Sequence, residues 1–208
     1  MIRRCLVGAL CLFLTACAST TKLVSEHESA IRNVSFERNV KIPEKAYYHG
    51  PAQTAGAVLF GPLGALVAHA TMTNDKLIMD YMKTHEIDIG AIVLEEFERQ
   101  VKAHPKFLNK QFSSNPDYFD AKFIVEVKMY GLTQKHGYSS EYRPVLGVAA
   151  RLVSAKDEKL WERYDYITAM NDTAPSYPFD QYFQDPKIMD EAYRAVSKHV
   201  VSLLMENL

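Results

Sequence analysis

Residues 121–130 alternate well between apolar and polar side chains. Phe123, Val125, Val127 and Met129 fall on one side, and Lys122, Glu126, Lys128 and Tyr130 on the other. A period of two belongs to a strand with one buried face, so this stretch commits the chain to a sheet with a core on one side. Two further β-rich runs follow. Residues 143–155 carry Val145, Leu146, Val148, Leu152 and Val153, and residues 160–169 carry Trp161, Tyr164, Tyr166 and Ile167. Between them lie only Lys156-Asp157-Glu158, which make a tight turn, and Lys159. That is too short for the crossover a parallel pair needs, so the runs pair antiparallel. A polar turn region over 131–143 joins the first two runs. Gly147, Ala149 and Ala150 predict a smooth patch where a helix sits close to the sheet.

The rest of the pattern is helical, with an additional strand. Residues 75–103 read as two helices. Leu77, Ile78, Tyr81 and Met82 lie on the first; Ile89, Ile92, Val93, Phe97 and Val101 form one face of the second, capped by Asp88. Glu95, Glu96, Glu98, Arg99 and Lys102 then form a solvated, ion-paired face. His104-Pro105 stops the helix, and 106–119 reads as a mobile polar connector. Residues 33–42 predict a first strand ended by Pro43, followed by a short extended piece over 46–51. Asp185-Pro186 places a cap and a proline at the start of a last helix, 186–206, with Ile188, Ala192, Val196, Val200 and Leu203 inward. The expected class is α+β: a small, mainly antiparallel sheet (strand, helices, three-strand meander, C-terminal helix) with helices packed on one face.

The amino terminus has a different character. Arg3-Arg4 precede an apolar run from Leu6 to Leu14, and Leu14-Thr15-Ala16-Cys17 follows. This is the layout of a cleaved export signal. Leu14-Thr15-Ala16-Cys17 also resembles the lipobox of bacterial lipoproteins. The resemblance implies cleavage before Cys17, an S-diacylglycerol thioether on its sulfur and an N-acyl group. Ala18, where Asp tends to retain such proteins at the inner membrane, implies the outer membrane, with the domain facing the periplasm. The alternative is an ordinary secretory signal that contains a cysteine. Residues 1–16 are then a signal peptide, 17–30 the lipidated Cys17 and a flexible tether, and 31–208 one periplasmic domain. Cleavage removes Cys5 and Cys11 of the three cysteines, so no disulfide is left to form. It also takes the formal net charge from −1 to −3 by removing Arg3 and Arg4. A chain of that charge with no basic face is not expected to bind nucleic acid.

No Asp, Glu, Lys or Arg occurs from Ala46 to Asn74. The centre, 55–72, is rich in Gly and Ala and carries Val58, Leu59, Phe60, Leu63 and Leu66. Ala57, Gly61 and Ala65 recur every four residues, which gives a helix one smooth face. Three readings stand: a helix or hairpin bent at Gly61-Pro62 and buried in the fold or an oligomer, a segment dipping into the membrane beside the anchor, and a full span. The segment 170–185 carries Tyr177, Phe179, Tyr182 and Phe183. These rings form either a partner surface or a lid folded back over the core. Val58, Leu59, Phe60, Leu63, Leu66 and these four aromatics are the candidate partner or membrane contacts.

Asp120-Ala121-Lys122-Phe123-Ile124-Val125 and the strand–turn–strand from Tyr142-Arg143-Pro144 to Leu160-Trp161 resemble envelope lipoproteins with a fold like an anticodon-binding domain. That group includes the curli-secretion lipoprotein and auxiliary lipoproteins of lipid transporters. The resemblance implies assembly or transport support, and no residue role carries over from it. Catalytic patterns are missing: no Gly-x-Ser-x-Gly, no phosphate loop, no His-Glu-x-x-His and no paired His at metal spacing. Asp180, Asp185 and Asp190 form the one carboxylate set, and Asp185 is read as a helix cap. The expectation is a non-enzymatic protein with no cofactor beyond its covalent lipid and no metal. It acts through a protein partner or a second copy of itself at the outer membrane. A lipid- or peptidoglycan-binding module and an envelope hydrolase are the alternatives.

Overall fold

The computed structural model describes residues 20–50, 73–113, 118–171 and 174–208. Cys17 and the stretch 55–72, with Val58, Leu59, Phe60, Leu63 and Leu66, lie outside the described residues. In chain order the elements are α1 (Ser25–Ala30), β1 (Asn33–Phe36), β2 (Tyr47–His49), α2 (Asn74–Thr84), α3 (Ile89–Ala103), β3 (Gln111–Phe112), β4 (Ala121–Gln134), β5 (Glu141–Ser154), β6 (Lys159–Ile167), β7 (Tyr177–Pro178), a 3-10 turn (Phe179–Phe183) and α4 (Pro186–Met205).

The class is α+β, but the sheet is mixed rather than small and mainly antiparallel. Seven strands run in the order β3-β1-β4-β5-β6, with β2 also on β4 and β7 on β5. β4, β5 and β6 form the expected antiparallel meander, while β1 and β2 both pair parallel to β4, and β3 parallel to β1. The reason is the connection. Parallel partners need a long crossover, and α2 and α3 supply it between β1 and β4. α3 and α4 pack on each other and on one face of the sheet. There Phe97 meets Phe123 edge-on at 5.3 Å, Phe36 stacks on Phe123 at 5.6 Å, and Trp161 reaches Phe123 at 6.1 Å.

The β4–β5 hairpin is longer than the alternation suggested, because the polar region 131–143 is mostly strand. Its register slips between Val127 and Met129. A bulge of this kind exchanges the two faces of the strand. Phe123, Val125 and Val127 are buried before it, and Tyr130 and Leu132 after it. Met129, expected inward, is therefore turned to the opposite face, and Tyr130, expected outward, is core. Gly131 follows at φ +152°, and a Cβ there would lie 1.8 Å from the Tyr47 carbonyl oxygen. Glycine lets β2 close onto β4 at this point.

The small residues of β5 serve a purpose other than the one expected. Gly147 and Ala149 lie on the helix-free face, opposite Tyr166 and Tyr164 of β6. A Cβ on Gly147 would sit 2.8 Å from the Tyr164 hydroxyl, so the gap accommodates a tyrosine and not a helix. Ala150, buried opposite Val125, is the one on the helix face. The buried stripe of α4 is Met189, Ala192, Tyr193, Val196, Ser197, Val200, Val201 and Leu204; Ile188 and Leu203 sit at its margin. Tyr193 explains this rotation, since its hydroxyl donates to the Gly131 carbonyl at 3.0 Å in the core. Burial pushes that hydroxyl's pKa well above its ordinary value.

Two stretches expected to be loose are folded. Within 17–30, the part described as tether, Thr21 exchanges two 3.0 Å backbone hydrogen bonds with Glu162 on the edge of β6, and Leu23 is buried. In the polar connector 106–119, Phe107 is fully buried and β3 pairs with β1. One apolar side chain in each stretch gains enough by burial to fix it.

Asp120 ties the start of β4 to β1, accepting from Arg32 N at 2.9 Å and Asn33 N at 2.8 Å. These bonds, led by that from Asn33, hold its carboxyl below the usual range. A carboxyl whose pKa is lower folded than unfolded stabilises above the unfolded value and loses that contribution as pH falls through the folded one. Stability is therefore expected to fall as pH drops below about 4, and less steeply in Asp120→Asn, measured by urea titration across pH. Gly131→Ala should lower stability by about 3 kcal/mol or prevent folding. The fluorescence of Trp161, the only tryptophan, reports either outcome.

Candidate functional site

The aromatic segment 170–185 folds inward. β7 pairs with the start of β5, and the 3-10 turn after it buries Phe179, Tyr182 and Phe183. Phe179 packs on Tyr48 at 5.4 Å and on Tyr142 at 5.0 Å, and Phe183 meets Tyr81 edge-on at 5.1 Å. The Tyr182 hydroxyl donates to the Tyr142 carbonyl at 3.0 Å, and burial raises its pKa strongly. Tyr177 packs against the core with part of its ring accessible. Of the two readings of these rings, the lid is the one observed. Phe179, Tyr182 and Phe183 are corrected from partner contacts to core, because three adjacent rings gain more by burial than a wet loop allows. Arg143, itself buried, secures the chain before this segment by donating to the Ala169 carbonyl at 2.7 Å and the Asn171 carbonyl at 3.2 Å.

The largest in volume of the described cavities lies along α2. It is a groove of about 850 Å³ between the segment 42–44, α2, the α2–α3 turn and Tyr130. Three local structures build it. The Val127 amide donates to the Lys41 carbonyl at 2.9 Å, which lays the chain beyond β1 along β4. The bulge turns Tyr130 inward as the end wall. The α2–α3 turn is a Schellman-type cap: the Ile87 amide donates to the Met82 carbonyl at 2.8 Å, and Glu86 occupies the left-handed region at φ 55°. The cap's apolar contact residues, Met82 and Ile87, both line the groove.

The groove's chemistry is an apolar floor under an acidic rim. Ile42, Met79, Met82, Ile87, Ile89 and Tyr130 supply the floor, and Ile42 is 47% exposed. Glu44, Asp80, Glu86 and Asp88 supply four carboxylates against the single cation Lys83. Asp88 is partly committed, because its Oδ1 accepts from Ala91 N at 3.0 Å and caps α3 as expected. Methionines adapt their shape to what lies on them, so a floor with two of them suits an apolar segment more than one fixed small molecule. Sequence reading placed Met82 and Ile89 on helices but did not see the groove. Glu86 in place of the usual glycine hid the turn, and the bulge hid the inward Tyr130.

The other candidate groups are dispersed. Asp185 caps α4 by accepting from Lys187 N at 2.9 Å, Asp190 pairs with Arg194 at 2.8 Å, and Asp180 accepts from Gln184 at 3.4 Å. These are three local contacts and not one site. The acidic face of α3 is ion-paired as expected, with Glu96–Arg99 at 2.6 Å and Glu98–Lys102 at 3.0 Å, and Glu95 reaches Arg194 of α4 at 3.0 Å. Among the described residues, no group of three or more His, Cys, Asp or Glu side chains is placed to hold a metal ion. No helix of the described residues is long and apolar enough to cross a membrane.

No protein-family model and no curated protein matches the sequence. Solved structures with a similar outline include protein XCC0632 from Xanthomonas campestris, of family model DUF330, at TM-score 0.42 and 10% identity over 89% of this chain and 84% of that one. A minor lipoprotein from Acinetobacter baumannii has TM-score 0.38 and 12% identity over 84% of this chain and 90% of its own. Lipoprotein GNA1162 from Neisseria meningitidis has TM-score 0.24 and 12% identity over 82% and 99%. Scores this low carry no residue role across.

The inward placement of Tyr182 gives it a structural role. Tyr182→Phe, which removes one buried hydrogen bond, should lower stability by about 1 kcal/mol in urea unfolding. Capture of any binding partner by the folded protein should be unchanged.

Proposed function

We propose that this chain is a lipid-anchored, non-catalytic protein of the bacterial cell envelope, an assembly or transport-accessory factor at the periplasmic face of the outer membrane. Its working surface is the groove between α2, the α2–α3 turn and Tyr130. There it receives an apolar segment of a partner protein that carries Lys or Arg at its margins. The observation that carries this reading is the groove itself, an apolar floor bordered by four carboxylates and one lysine. Opposite charge at the rim selects a cationic partner and speeds encounter, while the floor supplies affinity. The Leu14-Thr15-Ala16-Cys17 motif supports the anchor, with an N-acyl and S-diacylglycerol lipid on Cys17 and no other cofactor. The reading requires no proton transfer and no nucleophile.

The test has two arms. Intact mass of the membrane-extracted protein should show the lipid on Cys17, and Cys17→Ala should leave the membrane fraction. A photo-crosslinker in place of Met79 should capture one dominant protein in cells. Asp80→Lys combined with Glu86→Lys should reduce that capture about tenfold or more, and the reduction should weaken at high salt. Capture that ignores the charge reversal counts against the groove, and a bound lipid or glycan found there by native mass spectrometry would replace the protein partner.

A further inference from the structure

We infer that the helix-free face of the sheet at β6, carrying Tyr164 and Tyr166, rests on the lipid surface in which Cys17 is anchored, so that the domain has one fixed orientation. The inference builds on the lipid-anchor reading above. Its first support is the place where the chain joins the fold. Thr21 and Glu162 exchange two 3.0 Å hydrogen bonds on the edge of β6, and Leu23 behind them is buried. Thr21 is only four positions from Cys17 in the chain. Four extended residues span at most about 14 Å, so the lipid cannot be far from Glu162. The domain does not hang on a long tether; it is held by the rim of its own sheet.

The second support is what lies within that reach. Tyr164 is two residues along β6 from Glu162, about 7 Å, and Tyr166 four residues, about 14 Å. The two rings lie 5.8 Å apart and are 43% and 53% exposed on the face opposite α3 and α4. Tyrosine combines an apolar ring with a polar tip, which suits the headgroup layer of a bilayer. Each cation around the pair has a carboxylate beside it. Lys128 pairs with Glu126, Arg151 approaches Glu126 at 3.9 Å, and Lys122 approaches Glu37 at 3.6 Å. Glu162 also lies across from Arg151 in the strand register, so the face has little net charge and suits a zwitterionic surface without requiring anionic lipid. Tyr138 is fully exposed but stands in the β4–β5 turn, more than ten residues down the hairpin from Arg151, the partner of Glu162. That is about 30 Å or more from the anchor point along the hairpin, which makes it the reference position expected to stay clear of the lipid.

The experiment uses the lipidated full protein in vesicles of phosphatidylcholine containing a headgroup spin-labelled phosphatidylcholine as quencher. Tyr166→Trp and Tyr138→Trp are each compared with the parent, whose Trp161 is buried. Emission of Tyr166→Trp should be lost and that of Tyr138→Trp kept, without dependence on salt or on added phosphatidylglycerol. As a check that needs no substitution, lactoperoxidase iodination of the parent protein on vesicles should modify Tyr138 and spare Tyr164 and Tyr166. In free Cys17→Ala protein all three should react. Protein that carries the lipid and floats with the vesicles, yet keeps Tyr166→Trp emission or loses both equally, overturns the orientation while leaving the anchor reading intact. Protein whose intact mass lacks the lipid overturns the anchor reading instead, and the orientation with it.

Discussion

The one-residue slip in β4 between Val127 and Met129 is the constraint on which the rest of the fold depends. Before it, the strand presents Phe123 and Val125 to α3. After it, the strand presents Tyr130 and Leu132, and it offers Gly131 as a point of close approach for β2. Without the slip, Met129 would face the helices and Tyr130 would face away, removing the end wall of the groove. The Gly131 carbonyl would also not be presented to Tyr193, which sets the rotation of α4. A single irregularity thus positions a strand, a helix and the candidate binding surface together. This is the usual consequence of a bulge, which re-aims everything downstream on its strand.

Two aromatic groups divide the work of holding the sheet. Phe36, Phe97, Phe107, Phe123 and Trp161 join β1, α3 and β6 at one end. Tyr48, Tyr142, Phe179, Phe183 and Tyr81 join β2, β5, the 3-10 turn and α2 at the other. Buried rings and edge-on contacts carry this task among the described residues. The aromatic segment that resembled an exposed docking loop belongs to the second group. Its rings close the end of the core where β2 enters.

Much of the fold was legible in particular residues. The alternation from Phe123 to Val127 and the short turn at Lys156-Asp157-Glu158 gave the meander, and Asp88 and Asp185 gave the caps of α3 and α4. The parallel strands were not legible. β2 is three residues long and β3 two, and their pairing depends on distant partners and not on their own pattern. Register slips leave no mark in composition, which is why Met129 and Tyr130 were exchanged. Nor does sequence say which of two faces a small residue serves, so Gly147 and Ala149 were assigned a helix when they receive Tyr164. The groove was invisible for the same reason: its walls come from three segments between 42 and 130, joined only by the fold.

The bond pair between Thr21 and Glu162 has a mechanical meaning as well as a geometric one. Any pull on Cys17 enters the domain at that pair and passes next to Leu23, which must leave the core before α1 can unwind. The load is then spread across β6, β5 and β4, the longest and most extensively paired strands of the sheet. The groove lies beyond β4, on the side away from the point of attachment. Strain on the proposed anchor would therefore reach the longest strands first, and the proposed partner surface lies on their far side.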